Sequence, residues 1–424
     1  YADLVDDRIE AKTALVDEYQ SRAETLADSI VPFSFLGFGL TLLLTGNITK
    51  AVSLLMVDYS CAIKLATPIS VISAMKEAAA RKIMIKGGKF MEMFAKTDTI
   101  VFDKTGTLTS ACPQVTQIIP LSDCSREYIL KTAACLEEHF PHSVARAVVR
   151  KALEEGLHHE EEHAEVEYIV AHGISSLLHG KKVLVGSYHF LFEDERIPLT
   201  EEQKLTIRNH ARGKSNIFLA IGRRAVGMIG VSDPPRPEAA ETIARLKRQG
   251  ISSIIMLTGD SESAARAISR HLGITEYRSQ VLPEDKALFI RQLKKSGKTV
   301  CMVGDGINDS PALSCADVSV SMKDSSDIAR EVADISLLSS SLAELVVLRE
   351  LSCAVLEKIE RNYRFIVGFN SSLILLGMFG LITPALSAFL HNASTVYVSA
   401  RSTRRCLPPV RNLKQKREGW PIPS

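Results

Sequence analysis

The sequence predicts an α/β fold in which a doubly wound parallel sheet is interrupted by an inserted α+β domain and flanked by membrane-spanning helices. Two observations carry this prediction. Through the middle of the 424-residue chain, short apolar runs alternate with amphipathic helical patterns, as in sheets that carry helices on both faces. On both sides of that middle lie apolar stretches without a charged residue. A chain of this length exceeds one ordinary domain, so several units are expected.

The apolar stretches predict four membrane spans. Residues 29–49 contain no acidic or basic side chain, and a helix of about 20 residues crosses roughly 30 Å of hydrocarbon. Residues 51–71 form a second apolar stretch, which is interrupted by Asp58 and Lys64. Residues 365–400 form a third, where Thr383-Pro384 predicts a turn between two further helices. A buried core helix is the alternative interpretation of residues 29–49.

Charge composition orients these spans. Two hairpins place both termini and the middle on one side, and the tail after Ala400 is rich in arginine and lysine, which marks the cytoplasmic side. We therefore expect an integral membrane protein of the plasma membrane with cytoplasmic catalytic domains. A net charge of +2 predicts no nucleic-acid partner. Eight cysteines without a CxxC pair fit a reducing cytosol.

The middle of the chain reads as strands alternating with helices. Continuous apolar runs at 99–102, 253–257 and 299–303 predict buried strands, each followed by a polar loop. Residues 238–249 and 262–272 have the spacing of amphipathic helices. Ligands of such a sheet bind at the carboxyl ends of its strands.

A segment of different texture interrupts this pattern. Residues 175–185 read as a hairpin, whereas the His/Glu-rich segment 154–163 is either a solvated loop, which we favour, or a metal-binding tract. The expected organisation is a stalk with two spans, a two-part phosphorylation domain, an inserted nucleotide-binding domain, and a stalk with two spans and a basic tail. Their expected bounds are 1–92, 93–112 with 231–345, 113–230, and 346–424.

The first strand ends in the motif DKTGTLT at 103–109. A carboxylate at a strand tip, here Asp103, can attack a γ-phosphoryl group and form an aspartyl phosphate. Lys104 and the following backbone amides can neutralise and position the transferred group. Gly106 permits the tight turn beside the nucleophile.

Two further strand ends carry matching chemistry. Thr258 and the amide of Gly259 are suited to hold phosphate oxygens. Asp305 offers a hard oxygen ligand to Mg²⁺, and Asp309 can bind the ion or its waters. Lys286 adds a point charge toward the phosphoryl group. Each motif alone could be an ordinary turn or helix cap; the three in this order indicate a phosphoryl-transfer site.

The motifs DKTGTLT, TGDS and VGDGINDSPAL resemble the signatures of P-type ATPases, within the haloacid-dehalogenase-like superfamily. The resemblance covers essentially the whole chain and implies ATP and Mg²⁺ as cofactors. It implies that Asp103 is phosphorylated and that Asp305 is the principal protein ligand of Mg²⁺, in a site with Asp103, Thr105 and Asp309. The same resemblance places further residues around the nucleophile: Lys104, Thr105, Thr258, Gly259, Asp260, Lys286, Asn308 and Asp309.

A soluble phosphatase of the same superfamily is the rival interpretation. Such enzymes keep an aspartate two residues after the nucleophile as a general acid and base. Thr105 occupies that position here and cannot do this at neutral pH. A long-lived phosphoenzyme and the flanking apolar stretches favour a pump.

Residues 60–68, SCAIKLATP, resemble the CPC-A-L-x-L-A-T-P segment of heavy-metal-transporting P-type ATPases, with Tyr59 and Ser60 in place of the first cysteine and the proline. The resemblance implies a transported metal cation and a lipid bilayer as partners. Cys61, supported by His391, is predicted to bind a divalent metal such as zinc, cadmium, manganese or cobalt. Asp58 is a competing ligand that would favour manganese. Simple packing is the alternative role of Cys61.

Residues 138–145, EHFPHSVA, resemble the His-Pro signature that reads adenine in this subfamily. Because Phe140 is inserted, either His139 or His142 takes that role, with Glu138 beside them. The loops at Gly173 and Gly186 resemble the glycine loops of the same domain.

The resemblance also implies an N-terminal partner region of the same protein, which holds the actuator domain and further spans. We expect residues 1–424 to bind ATP and to become phosphorylated without that region, and we expect a complete transport cycle to require it.

Overall fold

The structure is a computed structural model that describes residues 18–110, 112–138, 143–157, 167–169, 173–178, 180–211, 214–260, 262–305, 309–323 and 325–408. The chain divides into two compact units. The first contains residues 1–100, 245–253 and 287–424, and the second contains residues 101–244 and 254–286.

The described residues form helices and strands in the alternation that the sequence predicts. The helices are α1 Glu18–Thr45, α2 Ile48–Leu55, α3 Ser60–Ala80, α4 Gly88–Lys96, α5 Arg126–Glu137, α6 Ser143–Glu154, α7 Glu201–His210, α8 Ala239–Arg248, α9 Glu262–Leu272, α10 Pro283–Lys295, α11 Ser310–Cys315, α12 Asp327–Val332, α13 Ala343–Met378 and α14 Pro384–Ser402. The strands are β1 Ile83–Ile85, β2 Thr99–Asp103, β3 Gln114–Pro120, β4 Glu167–Ile169, β5 Gly173–Leu178, β6 Lys181–Gly186, β7 Ser215–Ile221, β8 Arg224–Ser232, β9 Ser253–Leu257, β10 Glu276–Arg278, β11 Val300–Gly304, β12 Val318–Ser321 and β13 Ile335–Leu337.

A seven-stranded sheet has the order β1-β13-β12-β11-β2-β9-β10. The pairs β11–β12, β12–β13 and β9–β10 are parallel, and only the edge strand β1 pairs antiparallel among the registers described. β2 and β11 begin side by side in the first unit, where the amide of Thr99 donates to the carbonyl of Thr299. All residues of β2 and β11 are buried, which explains why both read as continuous apolar runs. The predicted doubly wound fold is confirmed.

A second, antiparallel sheet of six strands lies within the second unit, in the order β3-β8-β7-β6-β5-β4. Helices α5 and α6 cover one face through an apolar cluster that includes Ile129, Val148 and Val185. In a second apolar cluster, Phe190 and Leu191 pack against Phe218. The hairpin predicted at 175–185 is confirmed as β5 and β6, joined through Gly180, whose φ of +75° a side chain would strain.

Helices α3, α13 and α14 pack together in the first unit, around a small core of Ala62, Ile63, Ala66, Ile366 and Val398. The turn predicted at Thr383-Pro384 is confirmed. The Thr383 hydroxyl accepts from the amide of Leu386 at 3.3 Å, which caps the start of α14.

The expectation of four spans is only partly met in the described residues. One helical stretch, Ile48–Ala80, is long and apolar enough to cross a membrane, and Pro32–Thr45 is a shorter apolar helix. The longer stretch contains α2 and α3, with a break between Leu55 and Ser60 that the sequence analysis did not predict. The helices of 365–400 do not meet the same criterion. The apolar part of α13 ends at Met378, and α14 is diluted by serine, threonine, histidine and asparagine.

Candidate active site

The turn after β2 presents the predicted nucleophile. Asp103 and Lys104 are both buried, although each carries a charged group. Gly106 has a φ of +73°, a conformation that disfavours any other residue. Thr109 closes the turn, because its amide donates to the carbonyl of Lys104 at 3.1 Å. Thr105 is exposed on this turn.

A lysine from α10 reaches the carboxylate of Asp103. The Nζ atom of Lys286 lies 2.5 Å from Oδ1 of Asp103, and both side chains are over 90% buried. A buried carboxylate needs such a charge-assisted partner, since burial of an isolated charge is costly. The ion pair fixes the direction of the Asp103 carboxylate. The structure thus brings together two residues that the sequence analysis assigned to one site.

The loop after β9 supplies a second ion pair. Nζ of Lys104 lies 2.5 Å from Oδ2 of Asp260. Thr258 is buried, and its hydroxyl accepts from the amide of Asp260 at 3.1 Å, which holds the loop in a tight turn. Gly259, between them, is exposed. The chain therefore aligns Lys104 through Asp260 and leaves the Gly259 amide region accessible.

The acidic residues after β11 lie in the first unit. Asp309 is buried and Asp305 is half-buried, and their carboxylate oxygens lie within 4.8 Å of each other. Gly304 is required here, because a Cβ at this position would lie 2.9 Å from Oδ2 of Asp309. The carbonyl of Asp305 accepts from the amide of Ser326 at 2.9 Å. Asn308, also predicted for this site, lies outside the described residues.

Two residues of the site were missed by sequence reasoning. The guanidinium of the buried Arg236 donates to the carbonyls of Thr107 and Gly106, each at 2.9 Å. The carboxylate of Asp233 accepts from the Thr109 hydroxyl and, at 3.1 Å, from the Cys112 amide. Both therefore hold the turn that carries Asp103. The available signal was the segment DPPRP at 233–237, where two charged residues lie among prolines directly after an apolar strand.

The predicted nucleotide residues lie in the second unit. Gly173 pairs with Gly186 across β5 and β6, and a Cβ at Gly173 would lie 2.4 Å from the carbonyl of Val185. Glu138 is exposed at the end of α5. Beside it, burial raises the pKa of the Glu137 carboxyl to about 7. His139 and His142 lie outside the described residues.

The predicted transport residues lie among helices of the first unit. Cys61 is exposed in the first turn of α3, and His391 is buried in α14. The carboxylate of Asp58 accepts from the amides of Ser60 at 2.9 Å and Cys61 at 3.1 Å, so it caps α3. The side-chain nitrogen of Asn370 donates to the backbone carbonyl of Asp58 at 2.9 Å. The side-chain oxygen of Asn370 lies 3.5 Å from Nδ1 of His391.

Asn370 thus joins the backbone of Asp58 to His391. In the described part of the chain, groups of three or more acidic, cysteine or histidine side chains that are close enough to share an ion include neither Cys61 nor His391. The arrangement therefore offers a network of mixed oxygen and nitrogen donors, with the Cys61 thiol at its exposed border.

Comparison with known proteins identifies the family of the chain. Residues 97–317 match the family model of haloacid dehalogenase-like hydrolases. The chain is 38% identical over 388 residues to the zinc-exporting P-type ATPase of Mycobacterium marinum. The alignment covers 91% of this chain and 53% of the relative. The chain is 37% identical over 387 residues to the manganese-exporting P-type ATPase of Mycobacterium tuberculosis, with 91% and 54% covered.

The chain belongs to the heavy-metal-transporting P-type ATPases.

Solved structures place this ATPase chain in the same family. A zinc-transporting PIB-type ATPase in the E2.Pi state has a TM-score of 0.81 at 29% identity, covering 95% of this chain and 66% of that one. The catalytic domain of the CPx-ATPase CopB-B has a TM-score of 0.54 at 33% identity, covering 66% of this chain and 98% of that domain. The resemblance stated from the motifs is confirmed. The chain spans about half the length of the curated relatives that it matches, 53% and 54%.

Proposed function

We propose that this chain is the catalytic part, with some of the transport helices, of an ATP-driven pump that moves a divalent heavy-metal cation across a membrane. The single observation that carries the proposal is the carboxylate of Asp103, buried at a strand end and paired with Lys286 at 2.5 Å. An aspartate carboxylate at this position is the nucleophile that an aspartyl-phosphate mechanism requires.

The reaction follows from the residues around Asp103. Its carboxylate oxygen attacks the γ-phosphorus of ATP, the bond from that phosphorus to the bridging oxygen breaks, and ADP leaves. Lys286 contacts the carboxylate of Asp103, and Lys104 lies next to Asp103 on the same turn, where it pairs with Asp260. Both lysines offset the negative charge of the phosphoryl oxygens. Thr258 and the Gly259 amide hold the phosphoryl group in line. Water later hydrolyses the aspartyl phosphate in the complete cycle.

The acidic residues after β11 fit Mg²⁺, because carboxylate oxygens are the hard ligands that this ion prefers. Asp305 and Asp309 would hold it, with Asp103 and Thr105 completing the site. When bound, Mg²⁺ neutralises charge on the transferred phosphoryl group.

The inserted domain is proposed to bind the nucleotide. Gly173 pairs with Gly186 across β5 and β6, and the space beside Gly173 is filled by the carbonyl of Val185 and the ring of Phe190. Glu138 lies at the end of α5, and His139 or His142 follows in the sequence. We assign adenine recognition to this segment.

The helices of the first unit are proposed to carry the metal. Large apolar side chains are highly exposed on α1 and α14, including Leu43 at 85% and Phe389 at 68%, as expected for surfaces that face lipid. Cys61 and His391 would bind the cation, with Asp58 as a competing oxygen ligand. Zinc, cadmium, manganese and cobalt suit this mixture of donors better than monovalent copper. The plasma membrane, with the catalytic domains in the cytoplasm, is the proposed location.

The phosphatase alternative is disfavoured at the nucleophile itself. Thr105 occupies the position that the general acid and base takes in such phosphatases, and it is exposed on the turn. A hydroxyl of this kind does not ionise near neutral pH, so hydrolysis of the phosphoenzyme would be slow without a further domain.

The test is labelling of the purified chain with γ-³²P-ATP and Mg²⁺. The wild type should form an acid-stable, hydroxylamine-labile phosphoenzyme, and Asp103→Asn should form none. Asp317→Asn is the matched control, because Asp317 is an aspartate outside the site that pairs with Lys294 at 3.0 Å. Full labelling of Asp103→Asn would refute the assignment.

A further inference from the structure

A basic cavity lies in the first unit where α13 and α14 come together beside the chain that follows α14. Its volume is about 330 Å³, within the range of small-ligand sites. Five cationic side chains and one carboxylate line it: Lys358, Arg361, Arg401, Arg404, Arg405 and Glu357. Like charges repel, so such a concentration is costly unless an anion offsets it.

The backbone at this cavity is held from two sides. Buried Lys358 donates to the carbonyls of Ser402, at 2.7 Å, and Arg404. From α3, the buried carboxylate of Glu77 accepts from the amides of Cys406, at 2.8 Å, and Leu407, at 3.1 Å. The segment that carries Arg404 and Arg405 is therefore fixed by buried polar groups, and the arginines are pre-organised around the cavity.

The arginines themselves remain available for a ligand. Among the described residues, none of the side chains of Arg361, Arg401, Arg404 and Arg405 forms an ion pair with a carboxylate. Arg364, three residues further along α13, is instead paired with Glu360. Guanidinium groups bind phosphate oxygens through two parallel hydrogen bonds, so a phosphate group is the ligand that suits this set best.

The position along the chain indicates the source of that phosphate. Arg361 precedes, and Arg401 follows, the uncharged stretch 365–400. If this stretch lies in the bilayer, as in the proposed function on which this step rests, the cavity is at the cytoplasmic headgroup level. We propose that this cavity binds the phosphate of an anionic phospholipid headgroup from the cytoplasmic leaflet.

The experiment measures lipid binding to the delipidated full chain by native mass spectrometry, with phosphatidylglycerol and phosphatidylcholine as probes. Each arginine near an anionic surface contributes a factor of about five. Arg361→Gln should therefore weaken phosphatidylglycerol binding about fivefold, and Arg404→Gln with Arg405→Gln about 25-fold. Arg364→Gln is the matched control on the same helix and should change binding less than twofold.

The outcomes separate the possibilities. Equal binding of phosphatidylglycerol by the wild type and both cavity variants would overturn the proposal. Displacement of the lipid by equimolar inorganic phosphate would assign the site to free phosphate and overturn the lipid source. Thermal unfolding confirms that each variant is folded. No ATP is present in this experiment, so lipid binding does not depend on Asp103. The lipid-binding test and the phosphoenzyme test can therefore succeed or fail independently of each other.

Discussion

The strand-end site around Asp103 and the helical network around Asp58 solve the same problem, the burial of polar groups, in different ways. At Asp103 a full charge is met by another full charge, since Lys286 lies 2.5 Å away. At Asp58 the carboxylate is met by backbone amides, and the neutral side chain of Asn370 joins the backbone carbonyl of Asp58 to His391. The first arrangement fixes the carboxylate that is proposed as the nucleophile. The second presents oxygen and nitrogen donors that a metal cation can recruit.

The largest effect is expected at Cys61, and its absence would contradict this comparison. If the helical network is a metal site with Cys61 as a ligand, Cys61→Ser should abolish metal-dependent phosphorylation by ATP while back-phosphorylation by inorganic phosphate persists. The assay uses a transport-competent protein that contains this segment. Cys353→Ser, in α13, is the control. Unchanged metal affinity would make Cys61 a packing residue and shift the site to Asp58 or His391.

The next effect concerns the lysine that pairs with the nucleophile. Lys286→Met removes the charge but keeps much of the apolar stem, so the Asp103 carboxylate loses its partner and the phosphoryl group loses a stabilising cation. Loss of one such group costs about 10²–10³-fold in rate. Rapid-quench phosphorylation measures this. Lys295→Met, exposed on the same helix, should be neutral. A rate within threefold of wild type would show that Lys104 alone suffices.

The strand-end site could be predicted because a parallel sheet makes strand ends converge. Once 99–102, 253–257 and 299–303 are recognised as buried strands, Asp103, Thr258 and Asp305 follow from their position, and the lysines from local motifs. The structure gathers Asp103, Lys104, Asp260 and Lys286 as the motifs indicated.

The residues that hold the turn could not be predicted in the same way. The role of Arg236 depends on which way the carbonyls of Gly106 and Thr107 point, and no sequence period reports this. The helical network depends on the rotation of α3, α13 and α14 about their axes, so the link through Asn370 was also missed. The break before α3 follows from Asp58, whose carboxylate competes with the helix by capping its amides.

The buried carboxyl group of Glu137 sharpens the comparison. Burial raises the pKa of Glu137 to about 7, from an ordinary 4.5. The folded state therefore binds its proton more tightly, and this carboxyl costs stability progressively as pH rises from about 4.5 to 7. Glu137→Gln should be near neutral at pH 4.5 and stabilising by about 3 kcal/mol at pH 8.

Thermal unfolding across this pH range measures the effect. Glu127→Gln, exposed on the same helix, should show no such pH dependence. A stability difference that is equal at both ends of the range would mean that Glu137 is ionised as readily in the folded protein as in the unfolded chain. The contrast with Asp103 would then rest on the lysine alone.

The smallest effect tests whether the strand-end site needs its supporting arginine. Arg236 donates to two carbonyls of the catalytic turn, and a lysine at this position keeps the charge but reaches only one of them. The carbonyl left unpaired in a buried place should cost about 2 kcal/mol in stability. Because the turn also orients Lys104, phosphorylation should slow while ATP affinity is retained. Unfolding midpoints and single-turnover rates measure the two effects, with Arg245→Lys on the surface of α8 as control. A stable variant with a wild-type rate would show that Asp233 and Thr109 hold the turn without Arg236. The ion pair between Asp103 and Lys286 would then not depend on the contacts that Arg236 makes with the turn.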